Sequence, residues 1–144
     1  MSYMSEPPSI FLDSNVWYYA LSTENNEKAL KARELVKSLG NSIYFSSQVV
    51  NEVCVNLKRR VPIDEKQIRV LIESFYLNYN PVEINRAVLH FASELRERHK
   101  FSFWDALITA SALLGGAEIL YSEDMQDGFV LDNKLKIINP FISN

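Results

Sequence analysis

The sequence reads as an α/β protein with a mostly parallel sheet. Four short apolar runs have strand length: SIFL (9–12), SIYFSS (42–47), AEILYS (117–122) and KLKIINP (134–140). Longer stretches separate the first three, and their apolar residues recur three or four positions apart, the helical period. Apolar strands alternating with helices are the mark of a parallel sheet covered on both faces. A hydrophobic fraction of 47% in 144 residues, with two Trp, seven Tyr and eight Phe, is enough for a core. Disorder would require fewer apolar residues and less balanced charge. There is no repeat and no linker, so residues 1–144 read as one domain.

Taken in order, residues 1–8 are polar, contain Pro7 and Pro8, and read as a loose tail. SIFL ends at Asp13 and is the first strand. Ser14–Asn15 breaks the run, and VWYYAL opens a helical stretch. Asn25 or Asn26 suits the cap of the next helix, in which Ala29, Leu30, Ala32, Leu35, Val36 and Leu39 fall at helical spacing before Gly40 stops it. SIYFSS is the second strand. Ser46 or Ser47 then caps QVVNEVCVNLKR, which Pro62 ends. Asp64 caps DEKQIRVLIESFYL, and Pro81 closes that region. From Glu83 to His99, residues Ile84, Val88, Phe91, Ala92 and Leu95 face one way on a helix. Ser102 caps SFWDALITASALLGG, closed by Gly115–Gly116. AEILYS is the third strand, SEDMQDG a loop and KLKIINP the last strand.

The formal net charge of −3 argues against a protein that holds nucleic acid by bulk electrostatics. The single cysteine, Cys54, rules out an intrachain disulfide, fits a reducing compartment, and reads as a small buried apolar residue. MSYMSEPPS lacks the basic start and apolar run of a signal peptide. No stretch reaches the roughly 18 apolar residues of a membrane span. A soluble, cytoplasmic protein without a membrane partner is expected.

Four acids stand where such a fold would gather them. Asp13 ends the first strand and Asp124 follows the third, and open parallel sheets bind ligands beyond the carboxyl ends of their strands. Glu52 lies in the first turns of the helix after the second strand, and Asp105 in the first turn after Ser102. A helix N-terminus favours a carboxylate there. Several carboxylates aimed at one cleft otherwise raise one another's pKa, so they call for a cation. Oxygen ligands select a hard ion, Mg²⁺ or Mn²⁺, and no Cys/His set offers a zinc site. Such an ion activates water and neutralises phosphoryl charge, the equipment of phosphodiester hydrolysis. No G-x-S-x-G, Cys/His pair or P-loop offers another mechanism. Most of the 18 Asp and Glu only solvate helices; position singles out these four.

In order, IFLDSNVW, SSQVVNEV, FSFWDALITASAL and ILYSEDMQDG resemble the motifs of PIN-domain nucleases, and most of all the VapC toxins of bacterial toxin–antitoxin pairs. The resemblance spans Ile10 to about Phe141. It implies a three-layer α/β/α sandwich around a short, mostly parallel sheet. By it Asp13, Glu52, Asp105 and Asp124 are the catalytic and metal-binding acids, with Asp127 the fallback for the fourth because members differ there. Ser14 replaces the usual Thr and keeps its hydroxyl, Asn15 helps order the site, and Ser122 supplies a hydroxyl near it. The implied activity is Mg²⁺- or Mn²⁺-dependent endoribonuclease cleavage. The implied partners are an RNA substrate, a cognate antitoxin whose tail blocks the site, and a second copy in a homodimer.

Other features have a plainer reading beside the functional one. Arg96, Arg98 and Lys100, with His99, read first as a solvated helix end and second as contacts to RNA phosphates. Lys58, Arg59 and Arg60 share that ambiguity, and His90 reads as structural. Trp17, Tyr18 and Tyr19 read as packing rather than base stacking. Trp104, beside Asp105, sits either at the cleft rim or beneath it. A receiver-type phosphoacceptor would need an acid at the end of SIYFSS and a late-strand Lys. A haloacid-dehalogenase-type phosphatase would need an Asp where Asn15 stands. A non-catalytic module of the same fold is the remaining alternative.

Overall fold

The computed structural model describes residues 8–142. Of the tail expected over 1–8, residues 1–7 lie outside that part. Six strands form one sheet in the order β3-β2-β1-β4-β6-β5. They are β1 (Ile10–Leu12), β2 (Ile43–Ser46), β3 (Asn80–Val82), β4 (Ile119–Tyr121), β5 (Val130–Leu131) and β6 (Leu135–Ile138). Every pairing is parallel except the β5–β6 hairpin. The helices are α1 (Ser14–Leu21), α2 (Glu27–Leu39), α3 (Ser47–Arg60), α4 (Glu65–Asn78), α5 (Arg86–Arg98) and α6 (Phe103–Leu114).

The layering follows from chain direction. From β1 through β2 to β3 the chain steps one way along the sheet; from β3 it steps back to β4. Right-handed crossovers therefore send the two sets of helices to opposite faces. Accordingly α1 packs on α2 and α3, while α5 packs on α6. The result is the α/β/α sandwich. Strand β1 lies at its centre, with Ile10, Phe11 and Leu12 all buried. Between β1 and β4 the connections leave in opposite directions, so a crevice opens beyond their carboxyl ends. Asp13 N–H donates to the Tyr121 carbonyl at 2.8 Å and carries the pairing up to that crevice.

The expected caps stand at four helices: Asn26, Ser46, Asp64 and Ser102 each accept a backbone N–H of the following turn. Asp64 and Gln67 complete a reciprocal capping box. Five expectations are corrected. Helix α1 begins at Ser14 itself, because the Asp13 side chain caps it. Helix α5 begins at Arg86 under an Asn85 cap, so Glu83 and Ile84 precede it. Pro81, read as the close of a helical region, lies within strand β3. Proline is tolerated there because β3 is an edge strand, where one row of N–H groups needs no partner. Strand β5 went unseen because it is two residues long; Asp132 and Asn133, both at positive φ, make the hairpin turn that joins it to β6. Leu30, assigned to the apolar face of α2, is exposed, and Ala29 and Ala32 are the residues that face needs.

Trp17 is buried against Phe75 and Tyr79, with ring centroids 4.7 and 5.0 Å away. Tyr18 is likewise buried, and Cys54 is a buried free thiol. Helix α6 turns Ala106, Ala110 and Ala112 inward, and these small side chains let it lie close to the sheet. Among the described residues no helix is long and apolar enough to cross a membrane.

Candidate active site

Asp13 is both the cap of α1 and the buried centre of the site. Its Oδ1 accepts the Ser14 N–H at 2.7 Å, and its Oδ2 accepts the Ser122 hydroxyl at 2.7 Å. Burial pushes its pKa up from 3.8 to about 6. The Ser122 and Ser14 hydrogen bonds oppose that rise, and the charges of Glu52 and Asp105 add to it. Both acids therefore lie near enough to act on Asp13.

The other acids are held by neighbours on different elements. Glu52 of α3 accepts the Ser14 hydroxyl at 2.9 Å on Oε2 and Gln48 Nε2 at 2.9 Å on Oε1. Asp124, past the end of β4, accepts Asn15 Nδ2 at 3.0 Å. The Asn15 Oδ1 takes the Glu123 N–H at 3.4 Å, and Ser122 Oγ takes the Asp124 N–H at 3.3 Å. Asp105 sits in the capped first turn of α6. Its pKa is raised by burial and then by Asp124, against a lowering by Ser102. Ser14, Asn15 and Ser122 thus each tie one element of the site to another. Asp127 does something else: its Oδ1 accepts the Asn139 N–H at 2.8 Å and fastens the end of β6.

These acids are short of cations. Among the described residues the ion pairs are Lys28–Glu123, Lys58–Glu65 and Arg98–Asp132, and none involves Asp13, Glu52, Asp105 or Asp124. A hard divalent ion suits such a set of oxygen donors. Among the described residues no three His, Cys, Asp or Glu side chains stand close enough together to hold one metal ion, so the expected four-acid ligand set is not assembled here. One or two of these carboxylates, with water in the other positions, would suffice for a hard divalent ion.

A cavity of about 460 Å³ opens beside Asp105 and Asp124, walled by Arg98, His99, Lys100 and Phe129. Arg98 and Lys100 thus share a cavity with two of the acids. Arg96 does not line it; its guanidinium lies 3.9 Å from the centroid of Phe103. Trp104 is exposed, which puts it at the rim and not beneath the site. A second, more apolar groove of about 530 Å³ runs between α3 and α4, and none of the four acids lines it.

The family model of the PIN domain matches residues 10–127. The chain belongs to the PIN-domain family. No curated protein matches it. Solved structures share the fold of this PIN domain at low identity. A chain of a toxin-antitoxin complex from Klebsiella pneumoniae is 20% identical with a TM-score of 0.70, over 92% of this chain and 98% of that one. VapC20 of Mycobacterium tuberculosis, a sarcin-ricin loop cleaving toxin, is 23% identical with a TM-score of 0.67, over 81% and 90%. FitAcB from Neisseria gonorrhoeae is 19% identical with a TM-score of 0.62, over 92% and 98%.

Two supports of the site in this PIN domain escaped sequence reasoning. Gln48 stands one helical turn before Glu52 and steadies it; the i, i+4 spacing was the available signal. Its Nε2 also donates to the Trp104 carbonyl at 3.2 Å and so ties α3 to α6. Glu123, next to Asp124, is gripped by Lys28 and by the Tyr19 hydroxyl at 3.2 Å. Those partners lie about a hundred residues away along the chain, and no local pattern links them.

Proposed function

We propose that this chain is a metal-dependent endoribonuclease, the toxin of a toxin–antitoxin pair. The observation that carries the reading is the linkage of acids from separate elements: Ser14 joins Asp13 to Glu52, Ser122 joins Asp13 to the Asp124 backbone, and among the described residues no ion pair takes up Asp13, Glu52, Asp105 or Asp124. In this reading Asp13, Glu52, Asp105 and Asp124 would surround Mg²⁺ or Mn²⁺, one or two of them bound directly and the others through its waters. When bound, the ion supplies an activated water and neutralises charge on the scissile phosphate. Ser122 and the Ser14 N–H orient Asp13, Ser14 and Gln48 orient Glu52, and Asn15 orients Asp124. Arg98 and Lys100 take the flanking phosphates from within the cavity.

Membership of the PIN-domain family and the toxin-antitoxin descriptions of similar folds support this reading. A cognate antitoxin and a second copy of the chain are the proposed protein partners. The apolar groove between α3 and α4, lined by Val50, Ile68, Ile72 and Tyr76, supports a protein partner of some kind.

The test is cleavage of fluorescently labelled RNA. Activity is expected with Mg²⁺ or Mn²⁺, is expected to vanish with chelator, and to fall by orders of magnitude in Asp13→Ala and Asp105→Ala. Full cleavage by both variants would overturn the reading. Metal binding without any cleavage would point to a non-catalytic PIN-fold module.

A further inference from the structure

We propose that Phe103 and Trp104 form a platform on which unpaired bases of the RNA strand stack beside the acid site. The proposal rests on the ribonuclease reading and deepens it by naming the side chains that would meet the bases next to Asp105. Phe103 is 71% and Trp104 65% exposed, consecutive residues in the first turn of α6. Two large aromatic side chains standing in water are an unusual use of apolar surface unless something covers them.

Their surroundings point to what does. Trp104 immediately precedes Asp105, whose side chain lines the cavity holding Arg98 and Lys100. The Trp104 carbonyl and the Glu52 carboxylate share one donor, Gln48 Nε2, so the platform's backbone is fastened to the site. Arg96 lies 3.9 Å over the Phe103 ring, which braces the ring and adds positive charge next to it. Aromatic faces beside cationic side chains are the equipment for a single strand: phosphates run along the charges and bases lie on the rings. A duplex hides its base faces and offers nothing to such a platform.

The chain has two tryptophans, and Trp17 is buried, so quenching of exposed emission reports Trp104. The probe is a short mixed-sequence RNA strand added to the full chain carrying Asp13→Asn, compared with the same strand annealed to its complement and an abasic strand of equal length. The intact single strand is expected to quench the emission and to bind on the order of tenfold more tightly than either control. Trp104→Ala should lose about that factor, and Trp104→Phe should recover most of it. Equal binding of the abasic strand, or unchanged affinity in Trp104→Ala, would overturn the platform. So would a change of sedimentation in Trp104→Ala, which would assign the patch to self-association. Quenching by the single strand without cleavage by the wild type would uphold the platform and remove the nuclease reading. Wild-type cleavage with an unchanged KM in Trp104→Ala would do the reverse.

Discussion

Asp13 shows how one side chain serves folding and chemistry with opposite effects. Its cap on α1 stabilises the fold, and its buried charge opposes it. The folded chain holds the Asp13 proton up to about pH 6, against 3.8 for the free side chain. Between those values the folded state binds more protons than the unfolded one, so stability falls as pH rises through that window. The gap corresponds to about 3 kcal/mol. An amide in the same place can still accept the Ser14 N–H and can donate to the Ser122 hydroxyl. Asp13→Asn is therefore expected to melt at a higher temperature than the wild type at about pH 7 without divalent ions. The difference should shrink toward about pH 4, and RNA cleavage should be lost. A lower melting temperature at neutral pH would show that the charged cap outweighs the burial. Ser14 offers a second test. Ser14→Ala removes the hydroxyl donor to Glu52 and should reduce cleavage about tenfold with the fold intact, while Ser14→Thr should restore it. Unaltered kcat in Ser14→Ala would remove Ser14 from the positioning of Glu52.

Helix α6 carries Asp105, and its two ends are secured by different means. At the start, the Ser102 hydroxyl accepts the Asp105 N–H at 3.1 Å. At the finish, Gly115 lets the chain turn beneath strand β3. A Cβ added there would stand 2.7 and 3.1 Å from the Val82 methyls and 2.9 Å from the Ser111 carbonyl. The backbone oxygen cannot step aside, so Gly115→Ala is expected to cost about 1–3 kcal/mol, seen as a lower urea midpoint. An unchanged midpoint would mean that α6 and β3 have room to part. The starts of most helices were legible because caps are chemistry between neighbours: Asn26, Asp64 and Ser102 each bond within three residues. Strand β3 was not, because Asn80–Val82 resembles a turn until β2 is placed beside it. Proline argues against a central strand, and only the strand's place at the edge removes that objection.

Across the whole molecule, acids distant in sequence repel one another, Glu52 and Asp105 acting on Asp13 and Asp124 on Asp105, and an ion bound among them would offset that repulsion. Binding to the folded state alone stabilises by about 2.7 kcal/mol at a hundred times the dissociation constant. Mn²⁺ is therefore expected to raise the melting temperature of the wild type by several degrees, and to raise that of Asp13→Asn much less. Thermal melts with and without the ion check this, and equal shifts in both proteins would locate the ion elsewhere. Among the described residues no ion pair engages these acids, although Arg98 and Lys100 line the same cavity as Asp105 and Asp124.

The fold class and the family were readable from the sequence, because periodicity, capping and motif order are properties of near neighbours. Ser14, Asn15 and Ser122 stood out for the same reason, since each adjoins an acid or a strand end. What each of them grips did not. Ser14 reaches Glu52, Asn15 reaches Asp124, and Ser122 reaches Asp13, across 38 and 109 residues of chain. Gln48 offered only its i, i+4 spacing from Glu52, Lys28 offered no local signal, and Trp104 could not be assigned to rim or interior. Contacts between distant residues are set by how helices and strands pack, and exposure is decided only when every neighbour has taken its place.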